Sequence, residues 1–149
     1  MSKVFWKNQV NLNANLLFTN DMSEGMDDEG KLVSMMLEAN KNIRYACICD
    51  SEGKILWNSR RNDIVSMLTL EDTKASLKRA LENWRERDKL SGKIGKGRFA
   101  IVDYEKLKRV TVPLANNHLL YIHVEGDKPE YIGDILKIVK YVDEHPSQK

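Results

Sequence analysis

The chain has 149 residues, of which 42% are hydrophobic and 31% are charged, and its net charge is +2. This length and composition are typical of one soluble globular domain that can bury a substantial core. No apolar run approaches the about 18 residues that a membrane-spanning helix needs, and the N-terminus lacks the compact apolar segment of a secretory signal. We therefore expect a cytoplasmic protein.

The charge is distributed unevenly along the chain. Residues 74–109 contain twelve Lys and Arg residues against five Asp and Glu residues, a net charge of +7, whereas the segments on either side are net negative. Such a basic block is either a solvated helix face or a surface for an acidic partner, whether that partner is a protein, a nucleic acid or a lipid headgroup.

The first predicted helix covers residues 28–40, and a β-hairpin follows it. The hairpin consists of the strands "IRYACIC" and "KILWN" around the turn "DSEG", in which Gly53 suits a positive φ. Alternation along the first strand predicts two faces. The residues assigned to one face are Ile43, Tyr45, Cys47 and Cys49, and those assigned to the other are Ala46 and Ile48.

The two cysteines of this strand, Cys47 and Cys49, are two residues apart. On a strand their Cα atoms would be about 7 Å apart, which is too far for a relaxed disulfide. No second Cys pair or His pair stands at the spacing of metal ligands. We expect two reduced, buried thiols, and we expect neither a metal nor a cofactor.

The middle of the chain predicts a long amphipathic helix over residues 70–90. Thr69 is a good N-cap, and Asp72 stands three residues later, close to a capping-box pattern. Ser91 and Gly92 are expected to end the helix. Its charged face is wide, and its apolar stripe is narrow. The residues of that stripe are Leu70, Leu77, Ala80, Leu81 and Trp84.

Three strands and a last helix complete the chain. The strands are "RFAIVD", "LKRVTVPL" and "HLLYIHVE". The link "ANN" joins the last two, and its residues Asn116 and Asn117 tolerate a left-handed backbone. The apolar stripe of the last helix consists of Ile132, Ile135, Leu136, Val139 and Val142.

The element order α-β-β-α-β-β-β-α predicts an α+β domain with an antiparallel five-stranded sheet. Several strands have apolar residues on both sides, such as Leu119 and Leu120. A sheet of this kind must be covered on both faces, by helices or by a partner subunit. We assign residues 28–145 to this domain, residues 1–27 to an N-terminal extension and linker, and residues 146–149 to a tail.

This order of elements resembles the roadblock/dynein light-chain fold, a relative of the profilin-like and longin folds. The resemblance implies a homodimer or heterodimer that acts as a platform for small GTPases and for motor or signalling complexes, and it implies no enzymatic activity. A second, more local resemblance is to a small protein family of ammonia-oxidising archaea, and it implies a source but no reaction. The segments that carry it are "IRYACICDSEGKILW", "LEDTKASLKRALENW", "KIGKGRFAIVDYEKLKRVTVPL" and "HLLYIHVE".

The stretch "GKIGKGRF" combines three glycines with three cations. It is not a Walker A loop, because Arg98 and Phe99 stand where that motif needs Lys and then Ser or Thr. It also follows a helix and precedes a strand, the reverse of the order in a phosphate loop. We favour a basic structural turn over an anion contact. The candidate contacts to an anionic partner are Lys93, Lys96, Arg98, Lys106, Lys108 and Arg109.

Phe5 and Trp6 are large aromatic residues in the N-terminal extension. They either pack on the chain's own domain or dock on a dimer mate or another partner. Together with Trp84 they are the candidate contacts to a dimer mate or partner.

The sequence contains neither a nucleophile-elbow motif nor a zinc-protease motif, and its histidines are isolated from one another. We therefore predict a non-enzymatic, homodimeric module for regulation or scaffolding, whose partner is a protein such as a small GTPase or a signalling complex. The alternative is a nucleic-acid-binding accessory protein that uses the basic block at residues 74–109. A weaker alternative is a sensor of a small ligand.

Overall fold

The computed structural model describes residues 9–11 (backbone only), 27–61, 67–126 and 130–146. The helices are α1 (Asp28–Ala39), α2 (Leu70–Asp88), α3 (Ser91–Ile94) and α4 (Glu130–Glu144). The strands are β1 (Gln9–Asn11), β2 (Ile43–Cys49), β3 (Ile55–Arg60), β4 (Ala100–Asp103), β5 (Lys108–Pro113) and β6 (Leu119–Val124). A turn of 3-10 helix at Ala115–Asn117 joins β5 to β6.

The sheet has the strand order β1-β3-β2-β6-β5-β4. Strands β2 to β6 form an antiparallel five-stranded sheet, as the element order predicts. Strand β1 adds to one edge of this sheet, parallel to β3, with Gln9 opposite Asn58 and Asn11 opposite Arg60. The sequence does not predict this sixth strand, which belongs to the segment assigned to the N-terminal extension. Strand β4 lies at the opposite edge.

Helices α1 and α4 pack against each other and against one face of the sheet. Helix α1 begins after Asp27, whose side chain accepts a hydrogen bond from the Gly30 amide at 2.9 Å. A Cβ atom at Gly30 would lie 3.2 Å from the Trp57 ring, so the start of α1 sits close to β3. The core on this face is apolar. Its fully buried members include Met36, Leu37, Ile43, Ile48, Leu120, Ile122 and Ile135.

Helix α2 covers the other face of the sheet. Its N-terminus has the capping box that the sequence indicates. Thr69 Oγ1 accepts a hydrogen bond from the Asp72 amide at 3.0 Å, and Asp72 Oδ2 accepts one from the Thr69 amide at 3.1 Å. Elements of one chain therefore cover both faces. The buried residues of this second core are Tyr45, Cys47, Cys49, Leu77, Ala80, Leu81, Trp84, Leu119 and Tyr121.

The predicted face of Ile43 is wrong. Strict alternation places Ile43 beside Tyr45, but Ile43 lies in the core under α1 and α4 together with Ile48. The cause is a β-bulge: Ile43 pairs with Val124 of β6 and Tyr45 pairs with His123, so the register shifts between them. An extra residue in one strand reverses the side to which the residues before it point.

Helix boundaries differ slightly from the predicted ones. Helix α2 ends at Asp88 and a short second helix, α3, follows, so Ser91 and Gly92 begin α3. In the link between β5 and β6, Asn116 and Asn117 have φ values of 64° and 62°, as the sequence predicts. Within the described residues, no helix combines the length and the apolar character that crossing a membrane requires.

Trp84 is the first residue whose replacement tests this packing. Its side chain is 6% exposed, and its Nε1 donates a hydrogen bond to Thr111 Oγ1 at 2.9 Å. We expect Trp84→Ala to lower the free energy of unfolding by about 3–5 kcal/mol, because it leaves a cavity. Trp84→Phe keeps most of the apolar volume and should cost about 1–2 kcal/mol. Urea denaturation measures both values, and a loss below about 1 kcal/mol in Trp84→Ala would show a peripheral ring.

Candidate functional site

The glycine-rich stretch forms a helix end and a turn that leads into β4. Helix α3 is capped by the following residue, Gly95, which has a φ of 88° and whose amide donates to the Ser91 carbonyl at 2.9 Å. Glycine adopts such a positive φ without steric cost. Gly97 lies against the indole of Trp84, because a Cβ atom at position 97 would be 2.5 Å from Trp84 Cζ3. Backbone conformation and close packing therefore account for two of the glycines.

The candidate contacts to an anionic partner fall into two groups. The exposed group consists of Lys93, Lys96, Arg98 and Lys106. Lys108 and Arg109 are each only 8% exposed. The Lys108 ammonium lies 3.6 Å from the Asp103 carboxylate, and Arg109 Nη1 donates to Ser76 Oγ at 2.8 Å. Burial leaves these last two cations little surface to offer a partner.

Arg109 belongs to a buried group of polar side chains beneath α2, which we call the polar cluster. Arg109 and the Tyr121 hydroxyl both donate to Ser76 Oγ at 2.8 Å, and Tyr121 Oη lies 2.8 Å from His123 Nε2. The Tyr45 ring stacks obliquely on His123, with centroids 5.5 Å apart. Sequence reasoning missed this cluster because its members come from four separate elements.

Burial shifts the pKa values of His123 and Tyr121 in the directions that favour their uncharged forms. Burial lowers the pKa of His123 to about 4, and the positive charges of Arg109 and Arg44 act in the same direction. Burial likewise raises the pKa of Tyr121 to about 12. Both groups are therefore uncharged at neutral pH.

The two cysteines are free and buried, as the sequence predicts. Burial raises the pKa of Cys47, and it raises the pKa of Cys49 to about 12, so both thiols stay protonated at neutral pH. A protonated, buried thiol is a weak nucleophile. In the part of the chain that the structure describes, no three His, Cys, Asp or Glu side chains are placed to hold a metal ion.

Exposed apolar side chains occur along the segment from the end of α2 to the link between β4 and β5. We call this segment the apolar edge; its exposed apolar residues are Leu90, Ile94, Phe99, Ile101 and Tyr104. Ile94 is 78% exposed, and Ile101, in the middle of β4, is 39% exposed. Sequence reasoning missed this surface, because a short apolar strand has the same pattern whether it lies at the edge of a sheet or inside it.

Of the aromatic residues suggested as contacts to a dimer mate or partner, Phe5 and Trp6 lie outside the described residues. Trp84 is an interior residue that packs on Gly97, and the Arg87 guanidinium lies 4.7 Å from its ring centroid. Trp84 therefore supports the exposed residues around it by packing beneath them. Its own exposed area is too small to contribute much to contact with a second copy.

No protein-family model matches the chain, and no curated protein sequence matches it. Several solved structures are similar to the chain in fold. The gliding protein MglB of Thermus thermophilus has 15% identity and a TM-score of 0.62, over 78% of this chain and 84% of that one. MglB in a tetrameric arrangement has 16% identity and a TM-score of 0.61, over 76% and 81%. A roadblock/LC7 domain from Streptomyces avermitilis has 12% identity and a TM-score of 0.58, over 78% and 95%.

These similarities confirm the predicted fold class: the chain has the roadblock/LC7 fold. At such low identity they show the fold alone. The resemblance to an archaeal family stays a prediction.

The close approach of Gly97 to Trp84 gives a matched pair of variants. We expect Gly97→Ala to lower the free energy of unfolding by about 1–3 kcal/mol, because the new methyl group must displace the indole. Gly92 lies in α3, and a Cβ atom at this position would have no neighbour within 4 Å. Gly92→Ala should therefore be neutral or stabilising by up to about 1 kcal/mol. Thermal and urea denaturation compare the two, and equal stability would contradict the packing of residue 97 on the indole.

The buried imidazole of His123 predicts a loss of stability in acid. Its pKa is about 4 in the folded protein, against an ordinary value of 6.5. As the pH falls between these values, the unfolded chain takes up a proton that the folded protein excludes, so stability falls by roughly 2–3 kcal/mol. His123→Gln should remove this part of the loss. Urea denaturation between about pH 7 and about pH 4.5 measures it.

The exposed His145 at the end of α4 supplies the control for that experiment. His145→Gln should lose stability in acid as the parent protein does, because His145 lies outside the polar cluster. An equal loss in His123→Gln and the parent protein would contradict a buried neutral imidazole at position 123.

Proposed function

We propose that the protein is a non-enzymatic, homodimeric module that binds other proteins in the cytoplasm in a regulatory or scaffolding role. The observation that carries this proposal is the apolar edge, where exposed apolar side chains flank and occupy an edge strand. Scattered apolar residues are normal on a protein surface, but a run of them along a strand edge is typical of an interaction site.

The position of β4 supports pairing with a second copy. Strand β4 pairs with β5, and among the described strands none pairs with its other side. An edge strand presents a row of unsatisfied amide and carbonyl groups, which proteins usually protect with charge, proline or a bulge. Ile101 is instead exposed at the middle of β4. Antiparallel pairing of β4 with its copy about a twofold axis would satisfy those groups and bury Ile101.

Two further observations support an interaction role. MglB, which shares the fold, occurs in a tetrameric arrangement, so this fold is compatible with assembly. Exposed cations of the basic block, among them Lys93, Arg98 and Lys106, lie in the same segment as the apolar edge, which suits an acidic protein surface. The roadblock resemblance implies that such a partner is a small GTPase or a component of a signalling complex.

Nucleic-acid binding has weaker support. Burial of Lys108 and Arg109 removes two of the six candidate phosphate contacts. The four that remain exposed lack a platform of several aromatic residues on which bases could stack. A few cations attract phosphate groups but do not distinguish one base sequence from another. We therefore expect the affinity for nucleic acid to be low and to fall steeply as the salt concentration rises.

The molecular mass of the protein in solution tests whether it forms a dimer. We expect a dimer in light scattering and sedimentation at micromolar concentrations. Ile101→Lys places a charge on the edge strand and should convert the dimer to a folded monomer, because a buried unpaired charge strongly disfavours association. Circular dichroism would show whether the variant is folded.

Tyr141 provides a matched control, because it is exposed to a similar degree, 43%, but lies on α4. Tyr141→Lys should leave the dimer intact. A parent protein that stays monomeric throughout the concentration series would refute the dimer, and a dimer that survives Ile101→Lys would place its interface elsewhere.

A further inference from the structure

A cavity of about 700 Å³ lies between the second half of α2 and the connection from β5 to β6. The turn between β2 and β3 and the glycine-rich stretch complete its walls, through Ser51 and through Lys96 and Gly97. This volume falls within the range of roughly 300–1,000 Å³ that is typical of sites for small molecules.

One wall of the cavity is apolar and firmly held. Leu81, Trp84 and Leu119 line it and are almost fully buried, whereas Pro113, Leu114 and Ala115 line it with apolar surface that is more exposed. The indole is fixed by its hydrogen bond to Thr111 at 2.9 Å and by the backbone of Gly97. Because this wall does not need to rearrange, a flat apolar group could pack on it without a large ordering cost.

The polar side of the cavity is mainly cationic. Arg85, Lys96 and His118 line it, whereas Asp88 is its one carboxylate. Even with His118 neutral, two cations stand against one anion. Such a balance favours an anionic ligand over a cationic one.

Two of these basic groups are held in place by neighbouring polar groups. Arg85 Nη2 donates to the Ser51 carbonyl at 2.8 Å, which uses one of the five guanidinium protons. His118 Nδ1 lies 2.6 Å from Glu29 Oε2, and this contact holds the ring in place. No ion pair joins Lys96 to a carboxylate of the described residues.

We propose that this cavity binds a small organic anion, whose apolar body packs on Pro113, Leu114 and the edge of Trp84 and whose acidic group is bound by Lys96 and Arg85. The same cavity is lined by apolar side chains and by cations, which matches a molecule with an apolar end and a charged end. An inorganic anion would leave the apolar wall unused, and a neutral apolar molecule would leave the cations without a partner.

The test uses two fluorescent probes with the same type of apolar body. Anilinonaphthalene sulfonate carries a negative charge, and phenylnaphthylamine does not. We expect the sulfonate to bind the folded parent protein saturably, with one site per chain, and to bind more tightly than the neutral probe. Lys96→Gln should weaken sulfonate binding about tenfold, because it removes a charge-assisted hydrogen bond. It should change the affinity of the neutral probe less than about twofold.

Lys93→Gln is the control, because Lys93 is also an exposed cation of the glycine-rich stretch but does not line the cavity. It should leave both affinities unchanged. Amide and indole chemical shifts in the labelled parent protein then locate the probe. We expect shifts at Lys96, Gly97, His118 and the Trp84 indole.

Shifts confined to the apolar edge, equal binding of the two probes, or equal effects of Lys96→Gln and Lys93→Gln would each overturn the proposal. None of these results bears on the dimer, which Ile101→Lys tests separately.

Discussion

Strands β2 and β6 are central in the sheet and buried on both faces, and the rest of the fold follows from this burial. Every residue of β6, from Leu119 to Val124, is buried. Each face therefore needs a layer of its own. Helices α1 and α4 together supply apolar stripes for one face, whereas α2 alone covers the other. The apolar stripe of α2 is too narrow to cover that face completely, so polar side chains must fill part of the interface.

The polar cluster fills the interface between the sheet and the first turns of α2. Trp84 fills the interface nearer the C-terminal end of the helix. Buried polar groups are costly unless they bond to one another. Ser76 accepts from both Arg109 and Tyr121, and His123 Nε2 lies 2.8 Å from Tyr121 Oη, so the cluster is connected. Toward the other end of α2, Trp84 reaches β5 through a hydrogen bond to Thr111. Helix α2 is thus attached to the sheet by polar bonds at one end and by an aromatic ring at the other.

Features with a local cause were predictable from the sequence. The capping box at Thr69 and the left-handed Asn116 and Asn117 depend on residues close together in the chain, and the structure has them. The errors and omissions have non-local causes. Ile43 changes face because of how β2 pairs with β6, and formal charge says nothing about whether Arg109 is buried. The cavity and the exposed edge form where distant segments meet, and none of those segments carries a motif for them.

Burial also changes what the basic block can do. Its net charge of +7 counts every cation in the segment alike, but Lys108 and Arg109 are buried, and Arg87 lies against the Trp84 ring. Lys96 lines a cavity. The surface that remains for a macromolecule combines the other exposed cations with the apolar edge. A phosphate backbone needs many cations and gains little from apolar area, whereas a protein interface combines an apolar centre with a charged rim. This combination therefore suits an acidic protein better than a nucleic acid.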